Sequence, residues 1–225
     1  REVTMNVTDA IVQRKTIRGF KPDAVPDDVI KEVFSVAQKS PSNCNTQPWQ
    51  VSVVSGATRD KLEHELITEI MSGKKPKPAF QAFDLELEEV YKKRQYACAA
   101  DYYTTMGIAR EDKNARNALM VKNWQFFGAP HAAFISMPKS MGPINAIDVG
   151  IYLQSLMLLM VERGLASCPQ GALAFFPDPV FELANIPEQN GLLCGLSFGY
   201  PDEAAKINEV KMPRASLEQT VQFFN

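Results

Sequence analysis

The sequence predicts an α+β fold, a mixed central β-sheet flanked by helices, and three observations carry that expectation. Strand-like and helix-like stretches alternate along the 225 residues, but without the regular cadence of βαβ units. No G-x-G-x-x-G turn follows the first strand-like stretch, so a dinucleotide-binding parallel sheet has no support. Val149, Tyr152, Leu153, Leu156, Leu159 and Met160 cover most faces of one helix, which must then lie central and buried. Residues 1–225 read as one domain, since the length suits a single large core and 45% of the residues are hydrophobic against 22% charged.

The elements follow in order. Thr8 can cap a short helix running through Ile11 and Val12 into Arg14. Pro26-Asp27-Asp28 opens a second helix, with Val29, Ile30, Val33, Phe34 and Ala37 at helical spacing. Residues 41–48 form a turn-rich loop, and residues 50–55 alternate as a strand. A polar helix over 61–71 leads into a cationic surface loop over 73–78. Residues 85–116 are helical but poorly periodic and carry Tyr91, Tyr96, Tyr102 and Tyr103, which suits a peripheral lid. A helix over 115–127 brings Trp124, Phe126 and Phe127 to the core, and 132–136 form a buried strand. Residues 165–174 are a second apolar segment, and 192–198 a third strand in which Gly191, Gly195 and Gly199 serve packing. The tail, 201–225, ends on Val221, Phe223 and Phe224, and an apolar tail needs a surface to lie on, its own or a neighbour's.

Composition narrows the function. A net charge of −2 with mixed signs gives no general attraction to nucleic acid or an anionic membrane. Residues 1–9 carry no apolar leader, and the apolar run over 149–161 is broken by Gln154 and Ser155 and too short to span a bilayer. Cys44, Cys98, Cys168 and Cys194 form no C-x-x-C pair, which fits a reducing cytoplasm and no zinc site; Cys44 reads as a small buried filler. His64 and His131 read as structural. There is no G-x-x-x-x-G-K-[ST] loop and no G-x-S-x-G elbow, so NTPase and hydrolase chemistry lose their support.

Two constellations remain. Arg14-Lys15-Thr16-Ile17-Arg18 concentrates donors where a short helix ends, and paired guanidinium donors suit a phosphate, although a basic pentapeptide alone is more often a solvated face. Ser40-Pro41-Ser42-Asn43-Cys44-Asn45-Thr46-Gln47-Pro48-Trp49 can present amides to a flat polar heterocycle, or be a plain helix-to-strand turn. Together with Gly164-Leu-Ala-Ser-Cys-Pro-Gln-Gly171, Gly195-Leu-Ser-Phe-Gly-Tyr-Pro201 and Lys211-Met-Pro-Arg214, they give a sequence that resembles the FMN-dependent nitroreductase family over essentially its whole length.

The resemblance implies an FMN-dependent NAD(P)H oxidoreductase reducing nitroaromatic compounds or quinones. It implies that Arg14 and Arg214 grip the FMN phosphate, with Lys211 as an auxiliary and Lys15 in the same basic segment. Thr16 would reach the ribityl phosphate, and Arg18 the N1/O2 edge of the ring, where positive charge tunes its potential. Pro41, Ser42 and Asn43 would line one ring face, Asn45 and Gln47 would hold the loop or the ring edge, and Pro169, Gln170 and Gly171 would pass N5. Lys122 or Asn123 would meet the pyrimidine side, and Tyr91, Tyr96, Trp124 and Phe127 the substrate. It also implies a homodimer with FMN at the interface and the tail crossing to the partner. Two rivals stand beside it. An iodotyrosine deiodinase-like dehalogenase needs an acid four residues before a lid tyrosine, where this chain has Leu87 or Lys92. A flavin-binding protein without turnover would keep the same FMN-holding residues.

Overall fold

The computed structural model describes residues 5–80 and 87–224; Leu85, where the lid segment was expected to begin, lies outside them. Seven α-helices are described: α1 (Val7–Gln13), α2 (Asp27–Ala37), α3 (Gly56–Met71), α4 (Glu89–Met106), α5 (Lys113–Val121), α6 (Pro143–Glu162) and α7 (Pro177–Leu183). They accompany strands β1 (Gln50–Ser55), β2 (His131–Pro138), β3 (Ala166–Gln170) and β4 (Asn190–Gly199). The strands lie in the order β1-β2-β4-β3, and every neighbouring pair is antiparallel. Among the described residues the parallel component of the expected mixed sheet shrinks to one bridge, Thr16 to Ser167.

Successive side chains of a strand point to opposite faces, and β2 shows what that does when both faces are covered. Its Ala132 and Phe134 join Val54, Leu62, Leu66, Phe126 and Leu192 in one core. Its Ala133, Ile135 and Met137 join Val33, Trp49, Tyr152, Leu156 and Leu196 in the other. An unbroken apolar run is the result. Helices α3 and α7 cover the first face, α2 and α6 the second. Gly195 allows the turn at Gly171–Ala174 to lie tight on β4, since a Cβ there would stand 2.3 Å from Leu173 Cδ1.

Several elements differ from the sequence expectation for local reasons. Helix α1 is capped by Asn6, whose side chain accepts the Asp9 N–H at 3.0 Å, and not by Thr8. The helix expected over 115–127 ends at Val121, and Phe126 and Phe127 both take a left-handed φ of 52° in the short turn that follows. Helix α6 starts at Pro143, ahead of the apolar run, and its 20 residues are long and apolar enough to cross a bilayer by length and composition. Its Asp148, Tyr152, Leu156 and Met160 are nonetheless buried, the last three packed with β2 and β4. Helix α4 buries no residue, in keeping with its poor periodicity: Tyr91 and Tyr96 are exposed, while Tyr102 packs on the first core.

His131 is a structural histidine, as expected. Its Nε2 accepts the Val25 N–H at 2.9 Å, so Nδ1 carries the proton facing Ser55 Oγ. Burial lowers its pKa below the ordinary 6.5, against a weaker opposing pull from Asp27. Above about pH 6.5 folded and unfolded chains both hold it neutral; as pH falls from there through the lower folded value, the unfolded chain takes up the proton first and stability is lost. Urea midpoints taken between about pH 7.5 and 5 should therefore fall more steeply for the native chain than for His131→Gln. Equal slopes would refute this role.

Candidate cofactor site

Helix α1 stops at Gln13, and Arg14 leaves it in an extended conformation. The segment then pairs with β3 through the Ile17 N–H to Ser167 O bond at 3.1 Å. Extended backbone alternates its side chains, and the segment's two sides separate accordingly. Lys15 and Ile17 face a cavity of about 400 Å³, where Lys15 Nζ donates to Asn208 O at 3.2 Å. Lys15, expected with the basic segment to bind the cofactor, thus points to the tail. Arg18 lines a different groove, of about 610 Å³, together with Lys122, Phe127 and Lys206.

Arg14 has a second guanidinium close by. Burial first, and then the charge of Arg214, hold its pKa below the usual arginine value. Neither arginine is bridged by a carboxylate among the described residues. Two like charges brought together without an acid suit an anion such as a phosphate. Arg214 is otherwise held by the Met212 and Pro213 carbonyls, at 3.0 and 3.1 Å, while Lys211 is exposed.

Arg18 is set by packing and by the tail. Its guanidinium lies 4.4 Å from the Tyr102 ring centre and 5.7 Å from that of Phe127, and its backbone N–H donates to Asn208 Oδ1 at 2.8 Å. Its charge is felt at Cys168, whose thiol burial pushes up to about 11 while Arg18 pulls the other way. Its Nη1 is buried without a partner. A buried donor left unmet costs about 1–3 kcal/mol, so a carbonyl or anion arriving there recovers that cost. The O2 edge of a flavin ring is such an acceptor.

At the end of β3, the Gln170 side chain is fully used: it donates to Asn123 O at 2.8 Å and accepts from Ser197 Oγ. Only the backbone at Gln170 and Gly171 remains for a ligand, and Gly171 opens a short turn whose first N–H groups have no partner inside it. Asn123 therefore faces β3, whereas Lys122 shares the groove of Arg18. Trp124 is buried in the first core and donates to Ala172 O at 3.1 Å, so it supports the turn and does not line the groove.

The loop over 41–49 is fastened to one stripe of α6. Asp148 Oδ1 accepts the Asn43 N–H at 3.0 Å, and Ser155 Oγ accepts from Ser40 Oγ at 3.0 Å. Between them, Tyr152 stacks on Trp49 at 4.8 Å, and Gln38 links the Trp49 indole to the Tyr152 hydroxyl. Within the loop, Ser42 Oγ accepts the Gln47 N–H, and Gln47 Nε2 donates to Asn45 O. Cys44, Asn45 and Gln47 have φ of 49°, 57° and 47°, a left-handed backbone that is costly for residues other than glycine. The loop is exposed from Asn43 to Gln47, and so is Cys44, contrary to its reading as a buried filler. Sequence reasoning missed Asp148, Tyr102, Lys206 and Asn208. A lone carboxylate inside a long apolar helix was the one legible signal among them.

An α+β scaffold offering an anion cradle, a half-buried guanidinium with an unmet donor and a strained amide-rich loop defines a flavin-mononucleotide type of site. The chain belongs to the nitroreductase family: that family's profile matches residues 11–200. It is 39% identical over 210 residues to nitroreductase NfnB of Mycolicibacterium smegmatis, covering 93% of this chain and 89% of that one. It is 31% identical over 216 residues to a 4-nitrobenzoate reductase of Pseudomonas putida, covering 96% and 94%. The crystal structure of an FMN- and NADPH-dependent nitroreductase NfnB from Sphigopyxis sp. strain HMH superposes with a TM-score of 0.95 at 32% identity, covering 98% of this chain and 100% of that one.

Proposed function

We infer that this chain is an FMN-dependent NAD(P)H oxidoreductase that reduces nitroaromatic compounds or quinones. The observation that carries the reading is the acid-free approach of Arg14 and Arg214, together with the half-buried Arg18, whose buried Nη1 has an unspent donor. Arg14 and Arg214 hold the phosphate and Arg18 the ring edge, while Pro41, Ser42 and Asn43 cover one ring face. FMN supplies two-electron transfer at N5, taking hydride equivalents from NAD(P)H and passing them to the acceptor. The protein's own work is to bind and orient, with the Gln170–Gly171 backbone meeting N5 and Phe127 and Lys122 shaping the open side with Tyr91 and Tyr96. The four cysteines are unpaired, in keeping with a reducing cytoplasm.

The working unit is a homodimer. The loop is fastened to α6 at Asp148–Ser155, whereas Ala10 of α1, four residues before Arg14, borders Leu158, Leu159 and Glu162. At 1.5 Å per residue, Asp148 and Leu159 stand about 16 Å apart along the helix, so the Asn43 end of the loop and α1 meet α6 about three turns apart. A two-fold axis brings the loop of one copy to the arginines of the other. Ile144, Ile147 and Ile151 form an apolar stripe on α6 that is 62%, 63% and 38% exposed, and Phe223 and Phe224 of the tail are exposed as well. Sedimentation of a stable, FMN-loaded monomer would overturn this assembly.

If one open ring face serves both substrates, reductant and acceptor exclude each other. Initial rates across both concentrations should give parallel double-reciprocal lines, with excess acceptor competing against NAD(P)H. Nitrobenzoates, dinitrobenzenes and simple quinones should all be reduced, and iodotyrosine poorly, because Leu87 and Lys92 stand where the dehalogenase acid is needed. Intersecting lines refute the shared face, efficient deiodination installs the dehalogenase, and FMN binding without turnover installs the flavin-binding protein.

A further inference from the structure

Asp148 is an acid in the wrong surroundings for a merely solvated one. It is 5% exposed, it sits in the most apolar helix of the fold, and no cation bridges it among the described residues. One oxygen accepts the Asn43 N–H at 3.0 Å; the other, Oδ2, is buried without a partner. Burying a carboxylate with half its hydrogen-bonding capacity unused is expensive, and an asparagine would make the same bond to Asn43 without that charge. The charge therefore asks for a function. Its place supplies one, because Asn43 begins the tight turn that runs into the left-handed residues Cys44, Asn45 and Gln47.

We propose that Asp148 is a positioning residue of the cofactor site with two separable effects. Through the Asn43 N–H it holds the loop in its strained, ring-facing conformation. Through its charge, set behind that loop in a poorly screened interior, it opposes the added negative charge of a reduced flavin and keeps the reduction potential low. The second effect opposes what Arg18 does at the ring edge, so the potential is set by an acid behind the ring face and a guanidinium at its rim. The inference rests on the FMN reading above.

Two variants separate the effects, each read by FMN fluorescence titration and by midpoint potential against redox dyes. Asp148→Asn keeps an oxygen for the Asn43 N–H and removes the charge. Its FMN affinity should stay within about twofold of the native protein, while its midpoint potential moves to a more positive value. Asp148→Ala loses the acceptor as well, so the loop relaxes from its left-handed conformers and FMN affinity falls by about tenfold or more. If the alanine chain does not fold, the asparagine chain alone decides. A purely structural staple would leave the potential of Asp148→Asn at the native value, and that result overturns the electrostatic role. Native FMN affinity in a folded Asp148→Ala overturns the positioning role. Failure of the native protein itself to take up FMN would bring down the cofactor reading and this inference with it, an outcome distinct from either.

Discussion

The chain with both Arg14→Ala and Arg214→Ala should fold but fail to retain FMN through purification. Each single substitution removes a charged hydrogen bond to the phosphate, and each should weaken FMN binding by about 1.5–3 kcal/mol. The two losses should not add. In the cofactor-free protein the guanidiniums repel: burial first and then the Arg214 charge lower the pKa of Arg14, and the bound phosphate relieves that repulsion. Deleting either arginine removes its bond and the relief together, so the double variant should lose less than the sum of the singles. The loss should shrink at high salt, where exposed charges are screened. Riboflavin, which has no phosphate, is the control: its affinity should be nearly the same for all four chains. Equal losses for riboflavin and FMN would mean that the phosphate sits elsewhere.

Asn208→Ala should be strongly destabilising. Asn208 is 8% exposed, and its side chain meets three main-chain groups of two segments: Arg18 N–H at 2.8 Å, and Gly19 O and Asp202 O each at 2.9 Å. Truncation strands all three at once. With about 1–3 kcal/mol for each buried group left unmet, and partial rescue by water, a loss of about 2–4 kcal/mol is expected in urea unfolding. Asn208→Asp should be no better, although it is the same size. It keeps the acceptor for Arg18 but turns the donor into an oxygen facing two carbonyls. FMN affinity should fall in both variants, since the backbone that carries Arg18 loses its anchor. A stability change under about 0.5 kcal/mol in both would show that Asn208 fills space and no more.

What could be read from the chain without its structure is what repeats over short distances. Strand β1 was delimited to the residue because period-two alternation and the turn before it are local signals. Helix α2 followed from Pro26-Asp27-Asp28 for the same reason. Helix α6 was recognised by its apolar faces but begun too late, because the reading stopped at Asp148, the residue that proves to hold the loop. The expectation of Thr8 as a cap failed because Asn6, two residues earlier, caps equally well, and the backbone that decides where the helix starts is set by packing.

The sequence by itself determined the family, through motifs spread from Arg14 to Arg214, and with it the residue types that a flavin needs. Tertiary structure alone decided which of them meet and which way they face. Arg14 and Arg214 stand 200 positions apart, Arg18 and Asn208 190, and Asn43 and Asp148 105. No spacing rule reaches that far. Side-chain periodicity is enforced by neighbours within a turn or a pleat, whereas these approaches arise only when the segment after α1 joins β3, the tail returns over it, and the loop before β1 lies on α6. The same pairing turned Lys15 away from Arg18, because an extended strand gives adjacent residues opposite faces and burial then chooses between them.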